Sequence, residues 1–335
     1  MKSVSFLTLS RLRRWLIRLT FLLCASSDTV LAQLPPLDQE DTAIPADLNG
    51  LHFYLITVDV GNSIWDNFGH TALRLYDENT NTDLVFNWGV FDTSGGVVDF
   101  SYNFFKGAMN YRLATSLPSR EFDVYRGQGR TVWQDRLNLT NPQKEKLYRR
   151  LMWNLHAENL TYKYHYFFDN CTTRVRDYLN EALGSAISAQ YSGVTEKTFR
   201  YHVREHYASL PLIGFSLDVL MNSNIDRQVS EWEDMFLPQG LRQRLQAMSS
   251  DVGGVEEVLP LLSDHQQIME FPPPTARQSA YQIGSVGLLV PLLVLLVMLK
   301  RIPMSYFATH ARISLRAAGL SFRLLGLLGV VTALF

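Results

Sequence analysis

Residues Phe167–Asp177 read FFDNCTTRVRD, and the fold turns on this stretch. Asn170 is a natural helix N-cap, which puts Cys171 at the first helical position. The helix it opens carries Val175, Tyr178, Leu179 and Ala182 on one face and meets a stop at Gly184. A helix start presents unpaired N–H groups and a partial positive charge of roughly half an elementary charge. Both favour a thiolate over a thiol, and the thiolate is the nucleophile. The same N–H groups suit a developing oxyanion. The alternative for Cys171 is a small buried hydrophobe.

The cysteine count sharpens that choice. The 335 residues hold two cysteines, Cys24 and Cys171. Residues 1–32 read as a secretory signal: Lys2, Arg11, Arg13, Arg14 and Arg18 are basic, Leu19–Ala25 is a short apolar core, and Val30-Leu31-Ala32 offers a cleavage site near Gln33. With that segment removed, Cys171 is the sole thiol and no internal disulfide can form. An unpaired cysteine in an oxidising compartment is either buried or chemically employed. The net charge of −1 gives no excess for nucleic acid, and no basic stripe with interleaved aromatics is present, so no nucleic-acid partner is expected.

Outward from this helix the chain divides into parts. Residues 33–50, with Pro35, Pro36 and Pro45, read as a linker. Residues 51–250 form the exported domain, and residues 251–280, ending in Pro272-Pro273-Pro274, read as a second linker. Residues 281–335 read as a membrane region. In it, 283–299 is an uncharged apolar run about 25 Å long as a helix, and a second run, 317–335, is interrupted by Arg323. Lys300 and Arg301 mark the cytoplasmic side. The expected location is the inner membrane, with the domain on the periplasmic face.

Within the domain, residues 53–60, 71–77 and 84–92 read as strands, the last two joined as a hairpin over an Asn/Asp-rich turn. Residues 121–126 and 131–139 read as a further strand pair around Gly127 and Gly129. Helices are expected after a cap at Thr140 or Asn141, with Pro142 at the first helical position, and over 171–183, 198–210 and 233–248. Strands followed by helices predict an α+β domain with an antiparallel sheet.

A cysteine nucleophile needs a base. His70, in NFGHTALRLYD, opens a strand after Gly69, so its ring can point off the end of the sheet. His165 lies six residues before Cys171 among aromatics. For the group that orients the histidine, Asn87 in FNWG is polar in an apolar strand; its alternative role is to satisfy a bulge near Gly89. Asp92, Asp66 and Asp169 remain options. His202 and His206, spaced i, i+4 in HVREH, match an inverted zinc motif with Glu205 as base. No third ligand declares itself, so this reads as a solvated helix face, and no metal or cofactor is assigned. Arg74, Arg174 and Arg176 lie in the two strongest motifs and suit either a lipid phosphate or ordinary ion pairs. Tyr164, in a run of five aromatics between Tyr162 and Phe168, suits either a site wall or core.

The segments FGHTALRLYD, FNWGVFD and YFFDNCTTRVRD resemble the Lnb N-terminal periplasmic domain family. DMFLPQGLRQRL (234–245) fits it too, so the resemblance spans roughly 51–248. More broadly the order of parts is similar to circularly permuted papain-like enzymes, the group of lecithin–retinol acyltransferase and the NlpC-like hydrolases. The resemblance implies a permuted papain-like fold and lipoprotein N-acylation. A phospholipid acyl donor would acylate Cys171 as a thioester, and the N-terminal amine of a lipoprotein acceptor would resolve it. It implies Cys171 as nucleophile, His70 as base and Asn87 as its orienter. The family members associated with acyl transfer carry several C-terminal membrane helices, where this chain shows one clear run. Two other functions fit the same residues: a cysteine peptidase or amidase acting on cell-wall peptides, and a non-enzymatic membrane-tethered binding domain with an inert Cys171.

Overall fold

The computed structural model describes residues 44–91, 110–208, 210–221, 223–250 and 259–274. The signal segment 1–32, most of the 33–50 linker, Asp92 and the membrane region 281–335 lie outside the described residues. Among the described residues, no helix is long and apolar enough to cross a membrane.

Seven strands build the central sheet: β1 (Leu51–Val58), β2 (His70–Asp77), β3 (Thr82–Val90), β4 (Asn110–Ser116), β5 (Val132–Leu137), β6 (Thr161–Lys163) and β7 (Leu262–Met269). Their order is β7-β5-β1-β2-β3-β4-β6, and every neighbouring pair is antiparallel. The main helices are α1 (Pro118–Gly127), α2 (Asn141–Leu155), α3 (Cys171–Ala182), α4 (Phe199–His206), α5 (Pro211–Leu220) and α6 (Pro238–Gln246). The domain is therefore α+β with an antiparallel sheet.

Strand side chains alternate between faces, and the two faces bury against different helices. Ile56, Val58, Ala72, Val85 and Val132 pack with Tyr125 of α1. On the opposite face, Trp88 meets Tyr178 of α3 edge-on, with centroids 5.4 Å apart. Val175, Tyr178 and Leu179 are fully buried; each apolar side chain so buried contributes about 1.5–3 kcal/mol. Asn154 of α2 stitches this face together. Its Oδ1 accepts from Trp88 Nε1 at 2.7 Å and from the Tyr178 hydroxyl at 2.6 Å. A second core, around Phe167, Phe199, Val203 and Phe236, holds α4 and α5 and takes in Phe68 from the segment before β2.

Several expectations are corrected. Residues 121–126 form part of helix α1, not a strand. Pro118 stands in its first turn, and the buried residues are Pro118, Glu121 and Tyr125, a helical spacing. Val124, which had suggested strand alternation, is 47% exposed. The 233–248 helix is split by Pro238, which starts α6 after the short turn Glu231–Asp234. The 251–280 segment is not all linker, because β7 lies within it and pairs with β5. Its sequence, LSDHQQIM, is polar because it is an edge strand held by backbone pairing with most side chains outward. Strand β4 and helix α5 were not foreseen; β4 sends only Tyr111 and Leu113 into the core.

Candidate active site

Cys171 opens α3. Asn170 caps it: its Oδ1 accepts from the backbone N–H groups of Thr172 and Thr173, both at 2.8 Å. Its amide donates to the carbonyls of Tyr166 and Phe236, both at 3.1 Å, and so is fixed on both sides. The cap consumes two N–H groups of the first turn and leaves that of Cys171 itself for other use. Thr172 Oγ1 lies 3.0 Å from Thr71 Oγ1, a buried contact that docks the helix start against β2 one residue beyond His70. Gly69 permits the entry into β2. It has φ +76, and a Cβ there would lie 2.6 Å from the Val58 carbonyl.

His70 then extends to the α1 side of the sheet. Its Nε2 lies 3.0 Å from Asn87 Oδ1. The orientation of the Asn87 amide is fixed by chemistry. Gly89 N–H, which can only donate, reaches the same Oδ1 at 2.8 Å, while Asn87 Nδ2 donates to Glu121 Oε1 at 3.0 Å. An oxygen facing Nε2 requires the proton on Nε2. The neutral ring then presents a lone pair at Nδ1, and the ring is close enough to Cys171 for each to shift the other's ionisation. This is the tautomer a base for a thiol needs. The bulge between Asn87 and Val90 is real, and Asn87 both satisfies it and holds His70.

The electrostatics follow from these contacts. Burial opposes ionisation of Cys171, but the His70 charge and hydrogen bond, the Thr71 N–H and the Thr172 hydroxyl outweigh it, and the thiol is lowered to about 7. Burial likewise works to lower His70, helped by Arg130. The sulfur beside it, with a smaller contribution from Glu121, outweighs both and raises it. A depressed thiol loses its proton as pH rises through the midpoint. Alkylation of Cys171 by iodoacetamide should therefore rise through a midpoint near 7, against ~8.5 for an ordinary thiol. His70→Ala should move that midpoint upward. A wild-type midpoint at or above the ordinary value would contradict the pairing.

The other sequence candidates are placed as follows. Tyr164 is near the sulfur: it stacks on Tyr111 at 4.2 Å, and burial raises its hydroxyl, with Tyr111 and Cys171 adding to the effect. Tyr162 and Tyr111 feel the same sulfur, so aromatic rings line this side of the site. The three arginines each stand in an ion pair. Arg74 makes a two-pronged pair with Asp83, at 2.7 Å on each nitrogen, and donates to Gln134. Arg174 pairs with Asp169 and lies over the Tyr162 ring. Arg176 pairs with Asp177, donates to the Trp232 carbonyl and lies over the Trp232 ring. Their ion-pair reading is the one the geometry bears out. His165 forms a backbone bridge with Asp169, and its ring packs on Phe168 at 4.7 Å. Asp66 and Asp169 are taken by Arg130 and Arg174, and neither orients His70. The solvated-face reading of the His202 pair is also corrected: His202 is 1% exposed.

Three residues near His70 were not singled out in the sequence. Glu121 anchors Asn87, and Tyr125 packs near the His70 ring with its hydroxyl buried and without a hydrogen-bond partner. Arg130 is buried, donating to the Asp59 carbonyl at 2.9 Å. Reading 118–127 as a helix from Pro118 would have put Glu121 and Tyr125 on one inward face.

The model of the Lnb N-terminal periplasmic domain family matches residues 39–205, a span that contains Cys171, His70, Asn87 and Glu121. No curated protein and no solved structure matches the chain.

Proposed function

Because residues 39–205 belong to the Lnb N-terminal periplasmic domain family, we propose that this periplasmic domain is a thiol acyltransferase with a permuted papain-like arrangement of its Cys, His and Asn. In this reading it moves an acyl chain from a phospholipid to the N-terminal amine of a lipoprotein. The observation that supports the reading is the 3.0 Å contact of His70 Nε2 with Asn87 Oδ1, which leaves Nδ1 available to take the Cys171 proton. The apolar runs 283–299 and 317–335 belong to the proposal as the inner-membrane tether.

The steps follow from the residues present. His70 Nδ1 takes the thiol proton, and the Cys171 thiolate attacks the ester carbonyl of the lipid. The oxyanion forms beside the Cys171 N–H at the start of α3. Collapse breaks the ester C–O bond, and the His70 imidazolium protonates the departing alkoxide, leaving an acyl-Cys171 thioester. The acceptor amine then attacks the thioester carbonyl. His70 takes a proton from the nitrogen and returns it to the sulfur, so an amide forms and the thiol is restored. The aromatic side formed by Tyr111, Tyr162 and Tyr164 favours an apolar acyl chain over a peptide.

Incubation with radiolabelled phospholipid should give an adduct on Cys171 that hydroxylamine releases, as a thioester requires. Equal labelling of wild type and Cys171→Ala would overturn the acyltransferase reading. Release of fragments from purified cell wall with no lipid adduct would replace it with the amidase reading.

A further inference from the structure

Helix α4 carries a second constellation that the acyl-transfer reading does not use. His202, Glu205 and His206 sit at i, i+3 and i+4, and their ligand atoms lie within 4.8 Å of one another. His202 Nε2 lies 2.7 Å from Asp234 Oδ1. Among the described residues neither Nε2 nor Asp234 Oδ1 completes a hydrogen bond, so this contact does not fix the ring's proton, and Nδ1 is no better placed. That Nδ1 is buried and has no hydrogen-bond partner; the nearest carboxylate oxygen, Glu205 Oε2, is 3.9 Å away. His206 Nδ1 lies 2.7 Å from the Asn67 carbonyl, which can only accept. The proton is therefore on Nδ1, and Nε2 is left with its lone pair.

The His206 imidazole is thus locked in a tautomer that metal-bound histidines adopt, and among the described residues both ring nitrogens of the buried His202 lack a hydrogen bond. The His206 N–H is anchored on a backbone carbonyl, and its opposite nitrogen is left to ligate. An unpartnered buried nitrogen is costly in a core, and a cation between Nδ1 of His202 and Nε2 of His206 would remove the cost. Around zinc, ligand atoms at about 2.0–2.2 Å from the metal stand about 3.3 Å apart. The exposed Glu205 side chain has the freedom to close that gap. Nearby positive charge is already balanced: Arg204 pairs with Asp218, and Arg200 with Asp218 and Asp226.

We propose that His202, Glu205 and His206 form a site for zinc or a similar first-row divalent cation, with water completing the coordination. Glu205 is a ligand here, not the base that its place in HVREH suggested. The site bears on the rest of the fold through His206. This ring stacks on Phe68 at 4.8 Å and holds the Asn67 carbonyl, three residues before His70. A bound cation would clamp α4 to the segment that leads into the catalytic histidine.

The test uses the full-length chain carrying Cys171→Ser, which keeps the thiol out of the coordination. Zinc should bind with about one equivalent and raise Tm by about 5 °C. Cobalt(II) should give visible d–d bands without a thiolate charge-transfer band. Glu205→Gln, on the exposed side, and His206→Gln should each weaken zinc binding at least ~10-fold while the apo-protein Tm of Glu205→Gln stays near that of its parent. No binding at about 100 µM zinc, or unchanged affinity in both variants, would overturn the site. The readouts are independent of acyl transfer, so failure here leaves the proposed activity standing, and the reverse holds as well.

Discussion

His70→Ala should lower the rate of Cys171 acylation about 10³-fold while leaving the fold intact. Two effects multiply. Without the imidazole the thiol returns from about 7 toward its ordinary range; at pH 6 that alone removes about 30-fold of the thiolate. The rest comes from the lost proton for the departing alkoxide. The two separate experimentally, because iodoacetamide needs no leaving-group proton. Alkylation at pH 6 should fall by the smaller factor and acylation by the larger. Equal losses in both reactions would mean that His70 only tunes the sulfur and does not deliver a proton. No loss in either would remove His70 from the site.

Gly89→Val should be nearly as damaging, although residue 89 supplies no functional side chain. A Cβ at this position would lie 2.7 Å from His70 Cε1 and 3.1 Å from Asn87 Oδ1. Real Cβ atoms do not approach so closely, so the His70 ring must move, and its Nδ1 must leave the sulfur. The Gly89 backbone N–H that fixes Asn87 would shift as well. Acylation is expected to drop about 100-fold or more, and the alkylation midpoint should rise as it does in His70→Ala. Gly89→Ala should show the same change to a lesser degree. A Gly89→Val protein with a wild-type midpoint would show that the ring has another seat from which it reaches the sulfur.

Much of the site was legible because it rests on local chemistry. The N-cap at Asn170, the cysteine after it and the strand opening at His70 each leave a signature within a few residues, and the structure builds all three. Asn87 was legible as a polar residue in an apolar strand. What stayed hidden depends on long-range partners. The arginines of the two motifs find their carboxylates nearby, at Asp83, Asp169 and Asp177, and only the second partner of Arg74, the Gln134 amide, comes from a strand 60 residues on. Glu121 was hidden by a misread period, since Phe122 and Val124 imitate strand alternation while the helix buries Glu121 and Tyr125. β7 was hidden because an outer strand can be held by its main chain alone, which hydropathy does not register. The tautomers of His70 and His206 are likewise invisible without the atoms on their far sides.

The hydroxyl contact between Thr71 and Thr172 joins positions 101 residues apart. The sulfur belongs to one side of that seam and its activating imidazole to the other. A chain still threading through a membrane or newly emerged from it has an unremarkable thiol, because the two halves have not met. The depressed thiol depends on that closure, so the alkylation midpoint should fall from ~8.5 toward about 7 as refolding brings the two sides together.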